Sequence, residues 1–523
     1  MRFCLLTVLL AFCAGQARSQ NADIVLLNGK IVTVDEQFSI RQGLALREDK
    51  ILAVGTTAEM RKLAGPNSRI IDLQGRTVIP GLIDSHIHAI RAGQTFATEV
   101  NWVGITSLAE GMDRIAEAAR TMKPGAWLIV AGGWNVQQVK ERRRPTQAEL
   151  LAAAPDNPVY VQLGYGWAML TPMALKTLNI TSDQNVPRPG KLERDANGNP
   201  TGGIDGAGGN DAIIALFDRL PHPTFDEQVE GTKKFFRELN RLGVTGAGDP
   251  GGNNLNPGDY QPVFKVWRQG QMTVRVAYSL NGSDEGREFE QLKSLTQMTP
   301  QGFGDAMLRF NGLGERITWR MNNNPRPTED DKETYYRILR WAAERGMSVT
   351  MHWTNDNDVD TLLTIYEHVN KDVPIGNLRW SIAHLGNASD RSLRRMKAMN
   401  VGWTLQRPNP ASVAMAKEIG VPMGAGTDAH RVASYNPFTA LEWSVDSKVS
   451  RADALRAYTI GSAWFSFDEN KRGSLAPGKL ADLAVLSKDY LTVPEDQIGG
   501  IESVLTIVGG SIVYAAAPYA SLR

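Results

Sequence analysis

Apolar residues near the start of the chain come in short β-rich runs. Ile24-Val25-Leu26-Leu27 and Ile31-Val32-Thr33-Val34 flank Asn28-Gly29, a strong hairpin signal. Leu44-Ala45-Leu46 and Ile51-Leu52-Ala53-Val54 flank the polar Glu48-Asp49-Lys50 in the same way. The far end repeats this texture at 481–486, 503–508 and 511–515, with a turn at Gly509-Gly510. Short β segments at opposite ends of a chain can pair. The pattern therefore predicts a small composite β-sandwich from residues 20–80 and 470–523.

Between them the hydrophobic period switches back and forth. Residues 328–346 read as a helix: Thr328 caps it, Tyr335, Ile338, Leu339 and Ala342 share a face, and Gly346 ends it. Leu108, Met112, Ile115, Ala119 and Met122 mark another, stopped by Pro124-Gly125. Among the helices lie short β-branched runs ending in polar residues, at 78–88, 243–249, 274–280, 307–312, 348–352, 380–384, 402–406 and 423–428. Eight strands alternating with helices predict an α/β fold, a closed (β/α)8 barrel over residues 81–469. The gap between the first two strands is too long for one connection, so residues 91–242 read as an inserted lobe.

The first residues are of another kind. Arg2 precedes a nearly wholly apolar stretch from Phe3 to Ala14, and Ala17-Arg18-Ser19 offers small residues for cleavage. Residues 1–19 are expected to be a secretory signal peptide, too short in its apolar core to span a bilayer. A buried N-terminal helix is the alternative. A lipoprotein reading of Cys13 is weakened by Phe12, where a small residue is wanted. Cleavage would remove Cys4 and Cys13, the only cysteines, leaving no disulfide, thiolate nucleophile or cysteine metal ligand. Export, most simply to a bacterial periplasm, follows as an expectation.

With 57 basic and 56 acidic residues the charges nearly cancel, which gives no global attraction to nucleic acid or to anionic membranes. No membrane span is expected. The sequence leaves the oligomeric state open, a homo-oligomer included. Any partner chemistry is that of a small-molecule substrate.

The candidate chemistry begins with His86-Ile87-His88 at the end of the first barrel strand. Alternate strand residues face one way, so both imidazoles can address one metal ion. His352, His384 and Asp428 end strands five, six and eight, where barrel active sites converge. Imidazoles with a carboxylate suit zinc or a similar divalent ion.

At these residues the chain resembles the amidohydrolase superfamily of metal-dependent hydrolases, and within it the amidohydrolase 3 branch. The resemblance is carried by Val78-Ile79-Pro80-Gly81-Leu82-Ile83-Asp84-Ser85-His86-Ile87-His88, by Val349-Thr350-Met351-His352, by Ile382-Ala383-His384 and by Gly426-Thr427-Asp428-Ala429. The tail from Gly473 to Ala484, GSLAPGKLADLA, adds to it. The resemblance implies His86, His88 and His352 as metal ligands. It makes His384 a ligand, or the residue that orients the attacking water if one ion is present. It makes Asp428 the group that touches the metal-bound water and shuttles its proton to the leaving group. The implied reaction is hydrolysis of an amide-type C–N bond, N-acyl, formamide-like or cyclic.

Two departures bear on the site. Binuclear members carry a carboxylated lysine at the end of strand four, where this chain shows Arg309. A guanidinium cannot form a carbamate and repels a second cation, so the sequence favours one ion over two. Glu315, a few residues on, can serve as a substitute ligand, and is the first candidate should two ions be present; the preferred reading is a loop carboxylate paired with Arg316 or Arg309. Further, the inserted lobe has Gly164-Tyr165-Gly166-Trp167 where the family often has a histidine. Trp134, Tyr165, Trp167 and Trp353 read either as ordinary aromatic core or as an aromatic pocket for an apolar or aromatic part of the substrate, with Arg309 and His430 as further substrate contacts. His222, His368 and Arg142-Arg143-Arg144 read as solvated surface.

Competing readings use the same metal for ester or lactone hydrolysis, deamination, isomerisation or decarboxylation. A non-catalytic binding protein on the same fold is the reading from another class. It has no need of a proton-shuttling carboxylate at Asp428.

Overall fold

The computed structural model describes residues 21–252 and 255–523. The signal-peptide expectation falls outside the described residues. Among those described, no helix is long and apolar enough to cross a membrane.

Eight strands run parallel in sequence order, in two four-stranded sheets. The first sheet holds Leu82–Asp84, Val244–Asp249, Arg275–Leu280 and Leu308–Leu313. The second holds Thr350–His352, Ser381–Ala383, Gly402–Leu405 and Met423–Ala425. A parallel bridge between Leu313 and Val349 joins the sheets at one seam. At the other, the Ser85 N–H donates to the Ala425 carbonyl and the Asp428 N–H to that of His86. The result is a barrel-like α/β fold built from two half-sheets, where the sequence predicted one closed ladder. Helices such as Glu329–Glu344 cover it: Thr328 caps that helix, and Tyr335, Ile338, Leu339 and Ala342 are buried.

The run at 78–88 is not one strand. Thr77–Pro80 belongs to a separate six-stranded sheet, and the barrel strand starts only at Leu82. The switch occurs at Gly81, where a Cβ would stand 2.2 Å from Thr245 Oγ1. That six-stranded sheet unites both chain ends: Lys30–Val32, Ile40–Arg41 and Thr77–Pro80 with Leu483–Leu486, Ser503–Val508 and Ser511–Ala515. A four-stranded sheet, containing Ala22–Leu27, faces it across a core that includes Leu26, Leu44, Val78, Leu483 and Ile507. Asp482, in the tail motif, is tied to barrel strand residue Arg275 by a buried ion pair of 2.8 Å.

Asn28-Gly29 does not make the expected hairpin. Asn28 is left-handed, as a turn requires, but the runs on either side enter different sheets. The local signal marked a change of direction correctly and could not tell which strand lay beyond it. The hairpin at 43–55 does form, and so does the one turned by Gly509-Gly510.

Between the first two barrel strands stands a five-stranded sheet, with Leu128–Val130, Val159–Leu163 and Trp167–Leu170 among its strands. It has its own apolar core around Trp102, Trp134 and Trp167. The helix Phe225–Arg241 that follows buries Phe235, Phe236 and Leu239 with the barrel strands instead.

Candidate metal centre

His86 and His88 follow the first barrel strand, with ring centroids 5.5 Å apart and ring planes at 83°. His352 ends the fifth strand, and His384 stands one residue past the sixth. Asp428 lies beyond the eighth. These five residues do converge on one cleft. His384 (φ 71°) and Asp428 (φ 57°) both hold left-handed backbone, a strained state for non-glycine residues that the surrounding hydrogen bonds maintain. The His384 N–H donates to Gln406 Oε1 at 3.0 Å, and that of Asp428 to the His86 carbonyl at 2.8 Å.

The centre of the cluster is Glu315, which the sequence reading set aside as a loop carboxylate. Its Oε2 lies 3.1 Å from His352 Nδ1, 3.1 Å from His384 Nε2 and 3.3 Å from His86 Nε2. Its Oε1 lies 3.4 Å from His88 Nε2. Neither Arg316 nor Arg309 pairs with it within 4 Å. The fourth strand runs on to Leu313, so Glu315 stands just past its C-terminal end, level with the other site residues. Gly314 permits this: a Cβ there would be 1.9 Å from the Pro250 carbonyl oxygen. The signal was the equivalence of Glu315 with His352 and His384 at neighbouring strand ends.

Arg309 is at the other end of that strand, about 20 Å away by strand rise. Its guanidinium is bonded to Asp468 and to the Ser466 carbonyl. It neither contacts the cleft nor repels a second cation there, and the expectation of a substrate contact is corrected.

The donor set fits a cation. The His88 Nδ1–H donates to the Gly251 carbonyl at 2.6 Å, which in the neutral ring leaves a lone pair on Nε2. That lone pair faces Asp428 Oδ1 at 3.1 Å and Glu315 Oε1 at 3.4 Å, a repulsive arrangement unless a positive charge lies between them. His86 Nε2 is buried without a hydrogen-bond partner. Imidazole–carboxylate separations of 3.1–3.8 Å are close to the roughly 3.3 Å edge of a tetrahedron with zinc-like bond lengths. Two overlapping groups meet the requirement: His86, His88 and Asp428, and His86, Glu315 and His384.

Electrostatics agree. Burial alone would push Glu315 up, but hydrogen bonds from His352 and His384, with His86 close by, outweigh it and hold the carboxylate well below its ordinary range. Burial also opposes charging His86, yet Glu315 and then Asp428 pull it up. Burial and then the neighbouring His352 push His384 down to about 4. Beneath the site, burial raises Asp84 to about 7 against hydrogen bonds from Thr427 and the His86 N–H.

The expected aromatic pocket is not here. Trp134 and Trp167 lie in the core of the lobe, and Trp134 donates to the Gln162 carbonyl. Trp353 is buried in the barrel core and donates to the Asn355 carbonyl. Each indole found apolar cover elsewhere, which large aromatics do readily. Only Tyr165 reaches the cleft, of about 340 Å³, alongside Arg91, Asn210, Arg316, Asn323 and Thr354. His430 turns away as well: its Nε2 is 3.0 Å from Glu99 in a buried pair, and its ring packs near Phe235. His222 is exposed, as expected, with Nε2 near the Asp218 carbonyl.

A model of the amidohydrolase family, Amidohydro_3, matches residues 69–514. The N-substituted formamide deformylase of Arthrobacter pascens is 24% identical, covering 95% of this chain and 99% of its own length. Among solved structures, an uncharacterized metal-dependent hydrolase from Pyrococcus horikoshii OT3 superimposes with a TM-score of 0.62 at 22% identity, over 90% of this chain and 99% of that one. The atrazine chlorohydrolase of Arthrobacter aurescens TC1, complexed with zinc, gives a TM-score of 0.55 at 14% identity, over 94% of this chain and 95% of that one.

Proposed function

This chain belongs to the amidohydrolase family, and on that premise we propose that it is a metal-dependent hydrolase of amide-type C–N bonds, N-acyl, formamide-like or cyclic. The observation that carries the reading is Glu315 surrounded by four imidazoles, with Asp428 beside them. The kinship with a formamide deformylase supports the bond type. Zinc is the proposed metal, on the donor set and on the zinc-complexed neighbour.

The ground for one ion was Arg309 at the site, and that ground is gone. We propose two, which His86, His88, His352, His384, Asp428 and Glu315 would hold between them. A bound divalent ion brings a water's pKa to about 7 and polarises a carbonyl. Asp428, whose side chain is 21% exposed against 8% for Glu315, takes the water's proton and returns it to the leaving nitrogen. Glu315 remains a carboxylate throughout. The Gly251 carbonyl fixes the His88 ring.

The architecture proposed with this function is a (β/α)8 barrel over residues 81–469, a β-sandwich of both chain ends, and a lobe inserted after the first strand that supplies Tyr165 to the cleft. Export is proposed on the leader pattern of residues 1–19.

The test is metal content per chain, by elemental analysis of protein purified without chelator or histidine tag, together with hydrolysis of a panel of N-formyl, N-acetyl and cyclic amides. About two divalent ions and turnover that a chelator abolishes are expected. Failure to take up metal on reconstitution would refute the hydrolase reading.

A further inference from the structure

Arg91 and Arg316 bring positive charge to the cleft without a matching carboxylate. Arg91 is carried by the helix Ala89–Thr95, just after His88, and Arg316 directly follows Glu315. They are 4% and 8% exposed, and the Nε of each is buried without a hydrogen-bond partner. Among the described residues neither guanidinium forms an ion pair within 4 Å. Glu315 and Asp211 act on Arg316 only at longer range.

What these guanidiniums do touch is flat and apolar. Arg316 lies over the Trp319 ring at 4.1 Å and Arg91 over the Tyr165 ring at 6.0 Å. Stacking of this kind holds a guanidinium in place and leaves its N–H fork free. Tyr165 itself lies in the turn between the lobe strands Val159–Leu163 and Trp167–Leu170, and its hydroxyl is buried with no partner. All three side chains line the cleft that holds the metal ligands.

We infer that Arg91, Arg316 and the Tyr165 hydroxyl form a carboxylate-binding subsite, and that the substrate is an amide bearing a free carboxylate near the scissile bond, such as an N-acyl amino acid. The inference rests on the reading of this cleft as the hydrolase site. A buried, unpaired guanidinium is costly unless an anion completes it, and a carboxylate answers its two parallel N–H bonds. Loss of that anion leaves the arginines unpaired again, so the subsite would discriminate strongly against neutral analogues. It also replaces the apolar substrate portion that the tryptophans led us to expect.

The test uses two ketone probes that have no C–N bond to cleave: 4-oxopentanoate, shaped like N-acetylglycine, and its neutral counterpart 5-hydroxypentan-2-one. Binding is titrated calorimetrically to the metal-loaded protein and to the same protein after chelation. The acid should bind more tightly than the alcohol by about tenfold or more, the scale of a charge-assisted hydrogen bond. The preference should survive chelation and collapse in Arg91→Gln and in Arg316→Gln. Where one variant fails to fold, the other decides. Where both fail, the ionic-strength dependence of acid binding to the chelated protein decides, and a flat dependence overturns the subsite. Equal binding, no measurable binding, a preference that both variants retain, or one seen only with metal loaded would each overturn it too. A protein that shows the preference but turns over no amide would instead refute the hydrolase reading and leave the subsite standing.

Discussion

Replacing Asp428 by Asn separates proton transfer from metal binding. The residue holds φ 57°, a conformation that Asn adopts as readily as Asp, so the backbone of the loop is kept. The amide has the volume of the carboxylate and can keep an oxygen toward His88, where Oδ1 stands 3.1 Å from Nε2. The other oxygen, Oδ2, is 3.8 Å from His384 Nδ1, beyond hydrogen-bond reach, and is the atom left to exchange a proton. An amide cannot do so. General acid–base catalysis is worth roughly 10²–10⁴ in rate, or about 2.7–5.5 kcal/mol of barrier. We expect kcat on any amide substrate to fall by that factor, with metal content by elemental analysis close to that of the parent protein. A loss of rate smaller than about tenfold would refute the shuttle. A loss of metal in step with rate would show Asp428 acting as a ligand alone, and the proton would need another carrier.

Three further outcomes follow from the geometry. Glu315→Gln removes the charge shared among four imidazoles, and the metal content should drop from about two ions per chain to one or fewer; unchanged stoichiometry in elemental analysis would exclude Glu315 as a ligand. Gly314→Ala places a Cβ 1.9 Å from the Pro250 carbonyl, backbone that cannot move aside; urea unfolding should show a cost of about 1–3 kcal/mol, and a displaced Glu315 should weaken metal retention as well. Arg309→Met breaks the pair with Asp468, which keeps Arg472 at 2.9 Å, and should destabilise the fold by about 1–3 kcal/mol, the scale of a charged hydrogen bond, while leaving KM and metal content as they were; a change of KM beyond tenfold would return Arg309 to the active site.

Much of the fold was legible in local pattern because its determinants are local. A capping threonine, a 3.6-residue apolar period and a terminal glycine specify the helix Glu329–Glu344 without reference to the rest of the chain. The eight barrel strands were found for the same reason, as β-branched runs between helices. The four histidines and Asp428 were recoverable because each sits at or just past the C-terminal end of such a strand. Parallel strands of one barrel bring those ends together whatever the loops do. The tail motif could be read as β structure, though its partner, the strand Thr77–Pro80 some four hundred residues earlier, could not be read from it.

What the tertiary structure alone decided depends on exact strand ends and on distant neighbours. One residue's difference in the end of the fourth strand separates a loop carboxylate from the centre of the metal cluster, because a strand advances about 3.3 Å per residue and a ligand must be placed to within tenths of that. Arg309 was assigned to the site by position in a run, yet the opposite end of the strand meets Asp468, a residue that nothing nearby in sequence announces. The tryptophans were misplaced because an aromatic ring gains burial in any core, and sequence does not say which core it will enter. The unpaired state of Arg91 and Arg316 is likewise invisible in the chain, since the absence of a partner is a property of the whole surrounding space. Local sequence chose the elements and the chemistry of their ends; the packing of distant segments chose which of those ends meet, and which charges were left for a substrate to complete.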